Sequence, residues 1–111
     1  MANIVRFDLL RSVVFSSITS SYTLLAPPFG HAMRSIDFTN YTDAIIYVSF
    51  DRINDNIVVL PGSFKIFDLT LNQDENESLR FQIGTNIYIK YVGAAPTARS
   101  FYLDCMYGKG E

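Results

Sequence analysis

Histidine and cysteine are the side chains most often used for catalysis near neutral pH, and this chain has one of each. His31 follows Phe29-Gly30 in a predicted loop, and the pKa of a free imidazole suits it to act as a general base. A catalytic histidine needs a nucleophile or an acid held beside it, and no nucleophile elbow surrounds any serine of this chain. We therefore expect His31 to be structural, and we predict no catalytic residue.

Cys105 is the second candidate for chemistry. A reactive thiol needs an electropositive and partly exposed setting, whereas Cys105 lies between Asp104 and Met106 in an apolar strand pattern. The sequence therefore predicts a buried, structural cysteine. A lone cysteine also excludes an internal disulfide and a multi-cysteine metal site.

Hard oxygen ligands cluster in one stretch, at Asp51, Asn54, Asp55 and Asn56. Calcium prefers such oxygens, but an EF-hand needs a central glycine and a terminal glutamate that are missing here. Aspartate and asparagine also hydrogen-bond their own backbone in turns, which is the more ordinary use. No glycine-rich phosphate loop is present either. We predict no metal and no cofactor.

Composition excludes several classes of protein. A length of 111 residues suits one domain, and 49% hydrophobic residues suffice for a core. Nine basic against eleven acidic residues give a net charge of -2, which argues against nucleic-acid binding. No apolar run approaches the roughly 20 residues of a membrane-spanning helix. Arg6 and Asp8 interrupt the apolar region that a signal peptide would need, so we expect neither membrane insertion nor secretion by this route.

The elements that must position these residues are strands, because the hydrophobic period is two. Strands are predicted at 4–10, 20–25, 33–38, 43–50, 57–60, 63–69, 79–83, 86–92 and 100–107. Spacing near ten residues predicts an all-β fold, a single antiparallel sandwich of about eight strands, jelly-roll or immunoglobulin-like. Residues 30–111 form the predicted sandwich. Residues 1–29 are predicted to be an N-terminal strand or arm, either part of the domain or swapped onto a neighbour.

Aromatic residues are in excess, with nine Phe and seven Tyr. Three pairs on predicted strands should point to opposite faces: Phe64 and Phe67, Tyr88 and Tyr91, and Phe101 and Tyr102. One set then lies outside the core, where aromatics favour protein interfaces. Twisted edge strands and loops that cover these rings are the alternative.

From residue 30 onward the order of short motifs resembles a small structural protein common in tailed-bacteriophage genomes. The motifs are Gly30 to Arg34 before a strand, Asn40-Tyr41-Thr42-Asp43 (similar to N-x-T-D), Ser49 to Asp55 (similar to S-x-D-G-x-x-D), Leu60 to Phe64 with Asp68-Leu69 after it (similar to P-A-G-S and its strand), Gly84 to Lys90 (similar to G-T-x-x-Y-V-K), Gly93 to Thr97, and Ser100 to Gly108. Arg52 departs from the glycine that follows Asp51 in that pattern.

The resemblance implies a non-enzymatic virion component, assembled in the host cytoplasm and present in many copies. It implies a position at the head–tail junction, in the tail or on the capsid surface. The implied partners are further copies of the chain and portal, adaptor, tail or capsid proteins. A receptor- or carbohydrate-binding module is the alternative, with loops 51–56 and 93–97 as its site and Tyr91 or Tyr102 stacking on a sugar. An enzyme built around His31 is a third, weaker hypothesis.

Overall fold

The computed structural model describes residues 5–25, 27–68 and 81–108 of the chain. The described elements are nine strands and one short 3-10 turn, Phe15–Ser17. The strands are β1 Val5–Phe7, β2 Arg11–Val14, β3 Thr23–Leu24, β4 Met33–Asn40, β5 Ile45–Ser49, β6 Ile57–Val59, β7 Phe64–Asp68, β8 Tyr88–Val92 and β9 Ser100–Gly108. The prediction of an all-β chain is confirmed.

Two antiparallel sheets pack together as a sandwich. The five-stranded sheet has the order β1-β9-β4-β7, with β2 also paired to β9, and the four-stranded sheet has the order β3-β8-β5-β6. β1 and β2 follow one another along the same edge of β9, facing its end and its beginning respectively. They therefore act as one interrupted edge strand.

The pairing is nested, which identifies the topology. The outermost pair is β1 and β2 with β9, followed inward by β3 with β8, β4 with β7, and β5 with β6. The chain is thus a long antiparallel hairpin whose tip is the β5–β6 loop, rolled over into two sheets. This winding is a jelly roll. It excludes the immunoglobulin-like alternative, in which strands are grouped as ABED and CFG.

Strand alternation fills the core from both sheets. The largest fully buried side chains on the five-stranded sheet are Phe38, Phe101, Met33, Ile36 and Leu103, and those on the four-stranded sheet are Ile46, Ile89, Val48 and Val59. Each large apolar side chain taken from water contributes roughly 1.5–3 kcal/mol. The apolar positions that alternate in the sequence therefore hold the two sheets together.

Turn chemistry separates the strands as predicted at Pro61-Gly62. Gly62 has a φ of 72°, and the Ser63 N–H donates to the Leu60 carbonyl at 3.1 Å. A positive φ at the third residue of a turn is the geometry that favours glycine there. The turn sends the chain from β6 in one sheet to β7 in the other.

The predicted strand at 79–83 is wrong for its described part. Phe81 makes only an isolated bridge to Met33, and Ile83 is exposed. The Thr85 N–H donates to the Gln82 carbonyl at 3.2 Å, so the chain already turns at this point. Local turn formation therefore overrides the alternating pattern, and residues 79–80 lie outside the described part.

The N-terminal strand predicted at 4–10 was also too long for its described part, because residues 5–10 form a strand only at β1 and the chain resumes pairing at β2, while residue 4 lies outside the described part. Phe7 is paired with Met106 and Arg11 with Leu103, so three residues of the edge strand face two residues of β9. This is a β-bulge. Residues 5–14 pair within their own chain, and exchange of this segment between copies stays a prediction.

Candidate interaction surfaces

The buried polar residues between β4 and β5 have structural roles. The Asn40 side-chain amide donates to the carbonyls of Ala44 at 2.7 Å and Val59 at 2.8 Å. Its oxygen accepts from the Thr42 N–H at 3.0 Å and the Thr42 hydroxyl at 2.6 Å. Every hydrogen-bonding group of this side chain is therefore satisfied. Asn40 ties the end of β4 to β5 and β6.

Asp43, the last residue of the Asn40-Tyr41-Thr42-Asp43 motif, anchors the loop between β8 and β9. Its carboxylate accepts hydrogen bonds from the backbone N–H of Thr97 at 2.7 Å and from the Thr97 hydroxyl. These bonds stabilise the ionised form and lower the pKa of Asp43. The N-x-T-D pattern thus encodes two junctions of the fold.

The Asp51 carboxylate holds the β5–β6 loop in shape. It accepts from the N–H groups of Ile53 at 2.9 Å and Asn54 at 2.8 Å, and from the Asn54 amide at 2.6 Å. These hydrogen bonds, led by the one from the Asn54 backbone, lower the pKa of Asp51. The predicted use of this aspartate in a turn is confirmed.

Arg52 takes a left-handed backbone conformation, with a φ of 69°. This is the position at which the S-x-D-G-x-x-D pattern has glycine, so the residue differs from the pattern while the backbone keeps the geometry that favours glycine. The Arg52 guanidinium lies over the Tyr88 ring at 5.0 Å from its centroid. A non-glycine residue in this region costs about 1 kcal/mol or more, and the ring contact offsets part of that cost.

The two candidates for catalysis, His31 and Cys105, both pack against other side chains. The His31 ring stacks on Tyr107 with centroids 3.8 Å apart and planes within 3°. Cys105 is buried, as predicted. Burial raises the pKa of its thiol to about 12, although the Arg11 guanidinium approaches its sulfur at 3.5 Å. A thiol held in this protonated form is a poor nucleophile.

The three predicted aromatic pairs do divide between faces. Phe101 is buried, and Phe67 and Tyr91 pack against the core. Their neighbours Phe64, Tyr88 and Tyr102 lie on outward positions of the same strands. Tyr91 is partly buried against the core and Tyr102 lies on an outward position, and stacking of either ring on a sugar stays a prediction.

The outer face of the four-stranded sheet carries a group that we call the tyrosine–lysine cluster: Tyr22, Tyr47, Tyr88, Lys90, Arg52 and Asp55. Lys90 stands directly opposite Tyr47 across β8 and β5. Its ammonium lies 4.6 Å from the Tyr22 ring centroid and 6.0 Å from that of Tyr47. These distances fit cation–π contacts.

Asp55 joins this cluster from the β5–β6 loop. Its carboxylate accepts from the Tyr22 hydroxyl and lies 3.4 Å from the Lys90 ammonium. The Tyr22 hydrogen bond is the main cause that lowers the pKa of Asp55, while burial and then Asp55 raise the pKa of Tyr22. The positions of Tyr47, Tyr88 and Lys90 could have been read from alternation, but the link from Tyr22 to Asp55 spans 33 residues and has no local signal.

The outer face of the five-stranded sheet has a different centre, which we call the acidic pair: Asp37 and Asp104. They are directly opposite each other on β4 and β9. The Asp37 Oδ1 atom is buried and has no hydrogen-bond partner among the described residues. Burial and the charge of Asp104 raise the pKa of Asp37.

Apolar side chains flank the acidic pair. Ile66 stands opposite Asp37 and is 55% exposed, and Phe64 stands two residues away on β7, opposite Thr39, and is 63% exposed. On the other edge, Phe7 is 79% exposed. Large apolar side chains left in water on a sheet face mark a surface suited to protein contact.

A depression lined by Arg11, Phe29 and Leu103 among others is too small to hold a water molecule. No group of three or more histidine, cysteine or acidic side chains is placed to hold a metal ion among residues 5–25, 27–68 and 81–108. Over the same ranges, no helix has the length and apolarity required to traverse a bilayer. Searches against protein-family models, curated proteins and solved structures find no match to this chain.

Proposed function

We propose that this chain is a non-enzymatic structural component of a tailed-phage virion, assembled in multiple copies. The head–tail junction, the tail and the capsid surface are the positions that the sequence resemblance implies. Its partners in this proposal are other copies of itself and portal, adaptor, tail or capsid proteins. Nucleic acid and membranes are not among them.

The observation that supports this proposal best is the state of the two outer sheet faces. Phe64 and Ile66 are exposed beside the acidic pair, and Leu24 and Val58 are partly exposed on the other face. A small domain that serves only as a soluble monomer gains nothing from such surfaces, whereas an assembly protein buries them in contacts. Jelly rolls are also a recurrent architecture of viral coats, which agrees with the proposal by analogy.

The experiment is to look for the chain in particles. Tailed-phage particles purified on a density gradient from the source culture should contain its peptides by mass spectrometry, at a fixed ratio to the portal or major tail protein. Peptides found only in the soluble lysate, with none in intact particles, would contradict the proposal.

A carbohydrate-binding module is the second candidate, favoured by the tyrosine–lysine cluster. Tyr22, Tyr47 and Tyr88 present rings beside a cation, and flat rings of this kind stack on sugars. In titrations of the isolated chain with oligosaccharides, this candidate predicts saturable shifts of the tyrosine ring signals. Loss of these shifts in Tyr47→Ala, with retention in Tyr102→Ala, would place the site on this face.

A further inference from the structure

Residues 5–14, which we call the N-terminal segment, are held to the domain at one edge. Both strands of the segment, β1 and β2, lie at the edge of the five-stranded sheet and pair with β9. The bulge between them interrupts the ladder at residues 8–10. An edge segment with an interrupted ladder opens at a lower free energy than a central strand does.

Apolar burial adds little to this attachment. Phe7, Leu9 and Leu10 are 79%, 85% and 59% exposed, whereas Val13 packs against the core. The hydrophobic contribution is proportional to the apolar area that is removed from water, so the three exposed side chains stabilise the attachment only slightly. The segment can therefore leave β9 without uncovering much of its own apolar surface.

The charged side chains that the segment brings toward the core are paired with each other. The Arg11 guanidinium lies 2.9 Å from the Asp8 carboxylate, and the two side chains are only 12% and 20% exposed. Arg11 also donates to the Cys105 sulfur at 3.5 Å and lies 5.2 Å from the centroid of the Phe29 ring. Because both charges belong to the segment, its withdrawal leaves no unpaired charge buried at β9. The groups left there are a neutral thiol and a ring, on which the same ion pair of another copy fits.

A short hinge separates the segment from the fixed part of the chain. The 3-10 turn Phe15–Ser17 follows β2 directly and contains no buried residue. Ile18, the next residue, is buried in the core. Changes of φ and ψ at a few such positions can redirect a whole terminal element.

We propose that the N-terminal segment is exchanged between copies of this chain, each segment pairing with β9 of a neighbour in the register that it has within its own chain. This inference rests on the proposed assembly function and names the contact that joins the copies. The occupant is specified by the structure, because the register that sets Phe7 opposite Met106 and Ser12 opposite Tyr102 is the fit that a neighbour repeats.

Exchange of an identical element costs little, since the same contacts are made again in the neighbour. It is favoured where the local concentration of copies approaches the effective concentration of the tethered segment, which is on the order of millimolar for a short link. Copies that are packed in a particle meet this condition. Reciprocal exchange gives a dimer, and exchange passed from copy to copy gives a ring or a filament.

A disulfide between two different chains tests the exchange. Cys105→Ala removes the native thiol from every variant. One full-length chain then carries Ser12→Cys and a second carries Tyr102→Cys, positions that are direct partners across β2 and β9. The two chains are unfolded in urea, mixed, refolded at high concentration and oxidised. Mass spectrometry should find the mixed disulfide dimer at a yield at least about tenfold above that of a control pair, because partners on neighbouring strands lie within disulfide range.

The matched control is Thr39→Cys on one chain and Phe64→Cys on another, in the same Cys105→Ala background. These two positions are direct partners on β4 and β7, and Thr39 also stands opposite Tyr102. The control therefore has the same pairing geometry on the same outer face, but its strands stay within one chain during the proposed exchange. Equal yields in the two mixtures would overturn the proposal.

Thermal unfolding of each variant shows whether it folds. If Tyr102→Cys does not fold, Val14→Cys on one chain and Ser100→Cys on the other replace the test pair, since these residues are also direct partners across β2 and β9.

Locking the segment onto its own β9 gives an independent test. A single chain that carries Cys105→Ala, Ser12→Cys and Tyr102→Cys is oxidised in dilute solution, where the disulfide closes within the chain. This locked chain should remain a monomer at concentrations at which the wild type associates, and reduction of the disulfide should restore association. A locked chain that associates as the wild type does would overturn the exchange.

The outcomes separate this inference from the proposed function. Mixed disulfides at the control level, although peptides of the chain are present in particles, would overturn the exchange and leave an assembly role standing. Mixed disulfides well above the control level, with no peptides in intact particles, would support the exchange and overturn the virion role.

Discussion

Asn40 and Asp37 lie three residues apart on β4 and face opposite sides of the same sheet. The Asn40 side chain is fully buried and bonds with Thr42, Ala44 and Val59. The Asp37 side chain points outward to Asp104, and its Oδ1 atom is buried without a partner in the described part of the chain. On this strand the inner polar group holds the fold, whereas one oxygen of the outer polar group has no hydrogen-bond partner among the described residues.

Polar residues on the inner and outer faces of this sheet therefore have different roles. Buried amides are costly unless satisfied, so Asn40 is explained by the fold alone. Like charges directly opposite in neighbouring strands are destabilising, so Asp37 and Asp104 are not explained by the stability of the isolated chain.

The largest expected effect comes from removing the inner group. Asn40→Ala removes the amide that donates to the Ala44 and Val59 carbonyls and the oxygen that accepts from Thr42, and each buried group left unsatisfied costs roughly 1–3 kcal/mol. We expect the free energy of unfolding, measured by urea denaturation, to fall by about 3 kcal/mol. Thr39→Ala, on the outward side of the same strand, should change it by less than about 1 kcal/mol. Equal losses in the two variants would abolish the distinction between the faces.

Removing the outer charge should instead raise the free energy of unfolding. Asp37→Asn keeps the shape and ends the repulsion with Asp104, so the chain should gain up to about 0.5 kcal/mol at pH 7, with allowance for solvent screening. Asp104→Asn should give a similar gain. The double variant should add little, because the same repulsion is removed once. A loss of stability in Asp37→Asn would show that this carboxylate supports the fold.

The pH dependence of the free energy of unfolding further separates Asp37 from Asn40. Burial and Asp104 raise the pKa of Asp37 above 3.8, the ordinary value for aspartate. A raised folded-state pKa means that the folded chain binds the proton more tightly than the unfolded chain. This contribution to stability is therefore present in full below pH 3.8 and is lost as the pH rises through the folded-state pKa. In unfolding curves between pH 3 and 7, Asp37→Asn should lack this contribution, and coincident wild-type and variant slopes would contradict it.

The contribution of Asp55, on the other outer face, to stability should change with pH in the opposite direction. Its lowered pKa means that its contribution is present above 3.8 and is lost as the pH falls through its folded-state pKa. Tyr22→Phe removes the hydrogen bond that is the main cause. The carboxyl carbon signal of Asp55, followed by NMR during an acid titration, should then report a pKa closer to 3.8, which is the smallest effect predicted here. An unchanged titration would show that Lys90 alone sets this value.

Much of the fold follows from the sequence. The period of two placed Ile46, Val48, Phe101 and Leu103 inward, and Pro61-Gly62 marked a turn, because alternation and turn chemistry are local properties. The choice of a jelly roll over an immunoglobulin-like sandwich could not be made, because strand order depends on pairing between distant segments. The strand predicted at 79–83 failed at Gln82, where a local turn outweighed the pattern.

The surfaces were only partly predictable. Alternation correctly assigned Phe64, Tyr88 and Tyr102 to outward positions. It did not reveal that Asp37 and Asp104 are neighbours, because 67 positions of chain separate them and only the register of β4 on β9 brings them together. Alternation did not reveal the left-handed conformation of Arg52 either, and the glycine at this place in the S-x-D-G-x-x-D pattern was the one hint of it.

Self-association is tested most directly by the native mass of the full chain. This mass is measured by light scattering after gel filtration over a range of concentrations. We expect a mass above that of one 12.6 kDa chain that persists on moderate dilution. A mass of one chain at every concentration up to about 1 mM, a range in which weak contacts are populated, would contradict it.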